Sequence, residues 1–172
     1  MKLQFRPAQA NDLPEICALI RAATDAMARQ GIFQWDEIYP TEADFRRDIH
    51  EGWLYVGWME ERIAVVFALN RECDAEYANG QWRHGDAYLV LHRLCVHPAF
   101  QRRGAGRQAM AHIEAQAAAM GARSLRLDVF SQNPFALRLY AGLGYEQTGC
   151  ADWRKGRFYL MEKALPPHTN TP

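Results

Sequence analysis

HPAFQRRGAGRQAM, residues 97–110, places three arginines around two glycines where an apolar run ends and a helical pattern begins. The preceding run, YLVLHRLCV (residues 88–96), is apolar or β-branched almost throughout, which is typical of a strand at the centre of a sheet. A strand, a glycine loop and a helix together present backbone N–H groups that bind phosphate. The stretch therefore predicts an anion site, with a plain turn before a solvated helix as the alternative.

Length, composition and charge limit the class of protein. The 172 residues are 49% hydrophobic and 23% charged, as expected of one globular domain over residues 1–165 with a flexible tail over 166–172. A formal net charge of zero argues against a nucleic-acid or membrane-surface binder, and no apolar run approaches the roughly 20 residues of a membrane span. The N-terminus lacks the apolar core of a secretory signal, and the four cysteines are scattered. We therefore expect no metal, no disulfide framework and a cytoplasmic location.

Hydrophobic periodicity along the chain predicts the element order β-α-α-β-β-β-α-β-α-β-β. This order favours an α/β fold with one mixed, mostly antiparallel sheet flanked by helices. The tract RECDAEYANGQWRHGDA (residues 71–87) reads as a polar loop whose aromatic residues are suited to covering something.

A second motif, LRLDVFSQNPFALRLYAGLGYE, occupies residues 125–146. Together with LHRLCVHPAFQRRGAG (residues 91–106), it resembles the GNAT superfamily of acetyl-CoA-dependent N-acetyltransferases. Residues 101–106 are similar to that family's Gln/Arg-x-x-Gly-x-Gly/Ala loop, and residues 133–145 read N-x-x-A-x-x-LY-x-x-LGY. The resemblance implies the GNAT-like acyl-CoA N-acyltransferase fold over nearly all of residues 1–165.

The resemblance also implies acetyl-CoA as the cosubstrate. Backbone N–H groups over residues 102–107 would hold the pyrophosphate, and Leu94 and Val96 would pair by main chain with the pantetheine arm. In this family the central strand is commonly bulged, and a main-chain N–H near Cys95 would face the thioester carbonyl. The implied cofactor-binding residues are Leu94, Cys95, Val96, Gln101, Arg102, Arg103, Gly104, Ala105, Gly106, Arg107, Asn133 and Tyr140.

The resemblance implies that Tyr140 donates a proton to the leaving thiolate. The alternative is that Tyr140 is a packed aromatic residue. Asn133 either caps its helix only or also touches the pantetheine. An amine is mostly protonated at neutral pH, so a base is needed, and the candidates are His92 on the central strand and Asp128 at the end of the next strand. Cys95 lies in an apolar run, which favours a small buried residue over a thiol nucleophile.

Substrate recognition is expected from the aromatic segment FQWDEIYP (residues 33–40) and from the last strands. Trp35, Tyr39 and Trp153, with Asp128 as the acid, would suit a small amine or an amino-acid-like compound. The alternative is that these aromatic residues close the core between helix and sheet.

The leading hypothesis is therefore transfer of an acetyl group from acetyl-CoA to a primary amine of a small molecule or peptide by direct attack. A catalytically silent acyl-CoA-binding regulatory module is the alternative. Binding of nucleic acid through the loop arginines conflicts with zero net charge and the lack of a wider basic stripe. Family analogy also suggests a homodimer.

Overall fold

The computed structural model of the chain describes residues 2–167. Its helices and strands follow the predicted order. They are β1 (Gln4–Pro7), α1 (Leu13–Ala28), α2 (Glu42–His50), β2 (Leu54–Met59), β3 (Arg62–Asn70), β4 (Tyr88–Val96), α3 (Ala105–Ala119), β5 (Ser124–Phe130), α4 (Pro134–Gly142), β6 (Glu146–Trp153) and β7 (Gly156–Ala164). Short 3-10 segments at Ala10–Asp12, Ala75–Asn79 and Pro98–Phe100 were not predicted, because they are too short to show a hydrophobic period.

The strands form a seven-stranded sheet in the order β1-β2-β3-β4-β5-β7-β6. β4 and β5 run parallel, whereas β1 with β2, β2 with β3, β5 with β7, and β6 with β7 run antiparallel. The prediction of a mixed, mostly antiparallel sheet flanked by helices is confirmed.

The described residues divide into two compact units, one formed by 2–69 and 92–109 and the other by 70–91 and 110–167. We refer to them as unit 1 and unit 2. A single domain over residues 1–165 stays a prediction. Of the predicted tail, residues 168–172 lie outside the described residues.

The core of unit 1 forms between α1 and the strands β2 and β3. Ile16, Leu19 and Ile20 repeat at helical spacing on one face of α1 and pack in a buried cluster with Phe45 and Val66. Each such side chain contributes about 1.5–3 kcal/mol when fully removed from water. Cys95 of β4 belongs to the same cluster, so this core fixes the second half of β4 within unit 1.

The core of unit 2 explains the aromatic residues of the tract at 71–87. Tyr77 is buried with Leu160, and Trp82 packs against the same cluster, where its ring stacks on Tyr77 at 5.6 Å. The tract approaches β6 so closely that a Cβ on Gly149 would lie 2.6 Å from the carbonyl oxygen of Asn79. The tract is therefore a cover over β6 and β7, as its aromatic content suggested.

Candidate active site

The central strand β4 carries a backbone irregularity within unit 1. Arg93 has a φ of +52°, a left-handed conformation that a non-glycine residue rarely adopts inside a strand. Regular parallel pairing with β5 runs from Tyr88 opposite Ser124 to Leu91 opposite Leu127, all within unit 2. The kink therefore lies two residues beyond the last of these pairs, directly before Leu94 and Cys95.

The loop after β4 turns sharply into α3. Arg102 and Gly104 have positive φ values of +60° and +80°, and α3 begins at Ala105. The N–H of Gln108 donates to the carbonyl of Gly104 at 3.0 Å, which closes the first helical turn. The N–H groups of residues 104–107 precede that bond and have no acceptor within the helix. A Cβ placed on Gly104 would meet nothing within 4 Å, so there is space beside these donors.

The loop is held by its own polar side chains. The Gln101 amide donates to the carbonyl of Val96 at 3.0 Å, and Arg103 forms an ion pair of 2.9 Å with Glu60 in the β2–β3 turn. The side chains of Arg102 and Arg107 are exposed. Two of the residues predicted to bind the cofactor, Gln101 and Arg103, thus also maintain the loop conformation, and the Val96 carbonyl already accepts one hydrogen bond.

Cys95 has the properties of a buried hydrophobic residue. It is 6% exposed within the core of unit 1, and burial raises the pKa of its thiol to about 12. At neutral pH the thiol is therefore protonated and a poor nucleophile. His92 lies half-buried at the first position of this part of β4.

Asn133 and Tyr140 both belong to α4 and its start, in unit 2. The Asn133 Oδ1 accepts the N–H of Ala136 at 3.1 Å, so this side chain caps the helix, as one of its two predicted roles requires. Tyr140 is 8% exposed, and burial, together with the negative charge of Asp128, raises its pKa above the ordinary value. The phenol is protonated at neutral pH, and the raised pKa makes it a weaker acid than an ordinary tyrosine.

Asp128 has a partner that the sequence did not identify. The Tyr77 hydroxyl donates to Asp128 Oδ2 at 2.7 Å, across 51 residues of sequence. Tyr77 is 4% exposed, and burial followed by the charge of Asp128 raises its pKa well above the ordinary value. The only signal for Tyr77 was its place among the aromatic residues of an otherwise polar tract.

The aromatic residues proposed for the substrate have different surroundings. Trp35 packs against the core of unit 1, and Trp153 packs against the core of unit 2 with its ring 5.1 Å from Phe158. These contacts match the alternative in which such residues close the core. Tyr39 is 39% exposed and accepts a hydrogen bond of 2.9 Å from Arg93 Nη1.

Asp48 and Arg93 form a buried ion pair that the sequence analysis missed. The side chains are 3% and 12% exposed, and the Arg93 Nε donates to Asp48 Oδ2 at 3.0 Å. Asp48 lies three residues after the buried Phe45 on α2, a spacing that gave no sign of a charge in the core.

Among residues 2–167, no group of three or more His, Cys, Asp or Glu side chains is placed to bind a metal ion. Over the same residues no helix is long and apolar enough to cross a membrane.

The conserved pattern of the Acetyltransferase (GNAT) family matches residues 20–145, which include β4, the glycine loop, α3 and α4. The chain belongs to the GNAT family. This GNAT protein is 35% identical over 71 residues to the L-methionine sulfoximine/L-methionine sulfone acetyltransferase of Salmonella typhimurium. That match covers 40% of this chain and 42% of the relative.

Solved GNAT structures share the fold over almost the whole chain. A GNAT acetyltransferase from Streptococcus agalactiae superposes with a TM-score of 0.82 at 26% identity, covering 95% of this chain and 96% of the other. The PaiA N-acetyltransferase of Thermoplasma acidophilum, solved in complex with coenzyme A, gives a TM-score of 0.70 at 16% identity, covering 96% and 100%. The predicted fold family and enzyme class are thus confirmed.

The start of α3 has the properties that a CoA diphosphate needs. The first N–H groups of the helix lack helical acceptors, the space beside Gly104 is large enough for a Cβ, and Arg102 and Arg107 add positive charge. GNAT proteins bind acetyl-CoA, and the residues present in this chain are compatible with it.

Proposed function

We propose that this GNAT protein transfers the acetyl group of acetyl-CoA to a primary amine of a small molecule or peptide by direct attack. The start of α3 is the observation that supports this proposal most strongly. Backbone N–H groups over residues 102–107 bind the pyrophosphate, and the main chain of Leu94 and Val96 pairs with the pantetheine arm. The Val96 carbonyl accepts one hydrogen bond from the Gln101 side-chain amide, so its second lone pair accepts the hydrogen bond from the pantetheine.

The chemical step joins the amine nitrogen to the acetyl carbon and breaks the carbon–sulfur bond. A base first removes a proton from the substrate ammonium, and His92 takes this role, with Asp128 as the alternative. The main-chain N–H near Cys95 stabilises negative charge on the thioester oxygen. Tyr140 donates its proton to the departing thiolate, and the proton lost by the new amide nitrogen restores the phenol through solvent.

Burial and the charge of Asp128 raise the pKa of Tyr140, so the phenol carries the proton that this role requires but is a weaker acid than an ordinary tyrosine. The buried, protonated thiol of Cys95 supports direct attack over a route through a covalent acetyl-cysteine. The proposed substrate-binding residues are Trp35, Tyr39, Asp128 and Trp153. The Salmonella relative acts on amino-acid analogues, which favours a small amino-acid-like amine. We also propose a cytoplasmic location, with a homodimer as the assembly.

The test is release of free CoA thiol in the presence of acetyl-CoA and a panel of amines, with amino acids and their side-chain analogues first. We expect turnover with at least one amine. Tyr140→Phe should lower kcat about ten- to a hundredfold, a larger effect than its effect on acetyl-CoA affinity. Binding of acetyl-CoA without turnover on any amine would instead support the silent regulatory module. Full activity in Tyr140→Phe would return this residue to a packing role.

A companion variant, His92→Ala, separates the two candidate bases. If His92 is the base, the alkaline plateau of kcat/KM falls by at least tenfold in this variant. A change of less than about threefold would transfer the role to Asp128 or to an ordered water.

A further inference from the structure

Arg93 adopts a backbone conformation that requires support from elsewhere in the molecule. Its φ of +52° interrupts β4, and a side chain in this region is strained relative to glycine. Such a residue persists only where its surroundings determine the conformation more strongly than the backbone resists it. The side-chain contacts of Arg93 are the candidates for this support.

The guanidinium of Arg93 is held by hydrogen bonds to two side chains, Asp48 and Tyr39. Its Nε and Nη2 both donate to Oδ2 of Asp48, a carboxylate on α2 that is 2% exposed as a residue. Its Nη1 donates to the hydroxyl of Tyr39 at 2.9 Å, and the guanidinium carbon lies 6.0 Å from the Tyr39 ring centre. Burial opposes the charge on Arg93, yet Tyr39 and Asp48 together raise its pKa, so the guanidinium stays charged.

Tyr39 belongs to a loop that has its own local order. Asp36 Oδ1 accepts the N–H groups of Ile38 and Tyr39 at 3.0 and 3.3 Å, and the N–H of Asp36 donates to the Tyr39 carbonyl at 3.1 Å. The same loop exposes Phe33 and Ile38, at 58% and 61%. An exposed apolar loop is thus linked through one phenol to the kinked position of β4.

We propose that Arg93 is a positioning residue and that its ion pair with Asp48 holds the kink which sets the direction of the Leu94–Val96 main chain. Tyr39 extends the same set of contacts to the loop at residues 33–40. This inference rests on the proposed function, because the main chain that Arg93 orients is the segment proposed to meet the thioester. These side-chain contacts go to Asp48 and Tyr39 and involve no residue of α3.

The double variant Arg93→Gly/Asp48→Asn tests the proposal without leaving a buried charge unpaired. Glycine tolerates the positive φ, so the variant removes the side-chain contacts while allowing the same backbone conformation. We expect kcat to fall about ten- to a hundredfold, because small misplacements of reacting groups have effects of this size. The KM for acetyl-CoA should stay within about threefold of the wild-type value.

Two further variants separate positioning from general destabilisation. Arg93→Lys keeps a cation beside Asp48 and should recover at least part of the lost kcat, although it loses the guanidinium fork. The matched control is Glu42→Gln/Arg46→Gln, which removes an exposed ion pair from the same helix α2 and should leave kcat unchanged.

A readout independent of turnover is amide hydrogen exchange in the protein without ligand. In Arg93→Gly/Asp48→Asn, exchange over residues 92–96 should rise at least tenfold, whereas exchange within α3 should not change. Unchanged kcat together with unchanged exchange would overturn the positioning role. If the wild-type protein acetylates no amine, the proposed function fails, and the exchange measurement alone then decides whether Arg93 holds the kink.

Discussion

The helices of this GNAT protein begin in two different ways. At α2, Thr41 and Asp44 form a capping box in which Asp44 Oδ2 accepts the Thr41 N–H at 2.7 Å, and at α4 Asn133 caps the first turn. At α3 the preceding residue is Gly104, which has no side chain to provide a cap. A cofactor contact at α3 was predicted from the strand–glycine loop–helix pattern, whereas a contact at α4 was implied only by the family resemblance. A capping side chain satisfies donors of the first turn and so stabilises the helix, whereas the start of α3 has no such cap at Gly104, which agrees with the proposed diphosphate site.

The largest expected effect comes from Gly104→Glu. The new carboxylate would occupy the space beside the first N–H groups of α3 and repel the diphosphate, so we expect the Kd for acetyl-CoA to rise at least about a hundredfold, measured by calorimetry. A negative charge at a helix N-terminus favours the helix, which offsets part of the strain that a side chain meets at the positive φ of Gly104.

The matched control for this variant is Gly121→Glu, at the other end of α3. Gly121 also has a positive φ, of +91°, and also has nothing within 4 Å of its Cβ position. The control should therefore suffer the same backbone strain while keeping wild-type affinity for acetyl-CoA. Equal affinity of both variants for acetyl-CoA would mean that the diphosphate does not bind at the start of α3.

Asn133→Ala and Asn133→Asp test the capped start of α4. Alanine removes the cap and should lower the free energy of unfolding by about 1 kcal/mol, whereas aspartate retains a capping oxygen and should stay close to wild type in chemical denaturation. The capping role predicts wild-type acetyl-CoA affinity for Asn133→Asp. A tenfold weaker affinity in that variant would establish the additional pantetheine contact that the family resemblance implies.

Asp12→Asn tests the start of α1, where the Asp12 carboxylate accepts hydrogen bonds from the Arg6 side chain and from the N–H of Gln9. Arg6 forms hydrogen bonds with Asp12 and lowers its pKa below the ordinary value, with help from the N–H of Gln9. A lowered pKa adds stability above the unfolded value of 3.8 that is lost as the pH falls. We expect the variant to be about 1 kcal/mol less stable at pH 7, and this difference to disappear toward pH 2. A difference independent of pH would contradict the ion pair.

The smallest effect is expected for Cys95→Ala, on the strand that leads into the loop before α3. The buried, protonated thiol contributes packing only, so kcat/KM should change by less than about threefold. A loss of more than about a hundredfold at unchanged stability would restore the covalent route.

Local pattern in the sequence was sufficient for much of the fold. The apolar run at residues 88–96, the helical period of α1 and the cap at Asn133 each depend on neighbours within a few residues, and each was predicted. The contacts that orient side chains depend instead on residues far apart in the chain. Asp48 meets Arg93 and Tyr77 meets Asp128 only because the sheet topology brings their elements together.

Backbone irregularity was also beyond sequence reasoning at one position. The turn at Gly104 was predicted because glycine signals a positive φ, whereas arginine at position 93 carries no such signal. The kink of β4 was expected only through family resemblance, and its support by Asp48 could not be expected at all. The sequence thus located the loop of the candidate site but missed the residues that fix the strand before it.

The proposed function is tested first by isothermal titration of the purified protein with acetyl-CoA, with adenosine diphosphate and NAD as comparison ligands. We expect micromolar binding of acetyl-CoA, in strong preference to NAD. Absence of acetyl-CoA binding would mean that the glycine loop before α3 is only a turn, and would contradict the proposed function at its foundation.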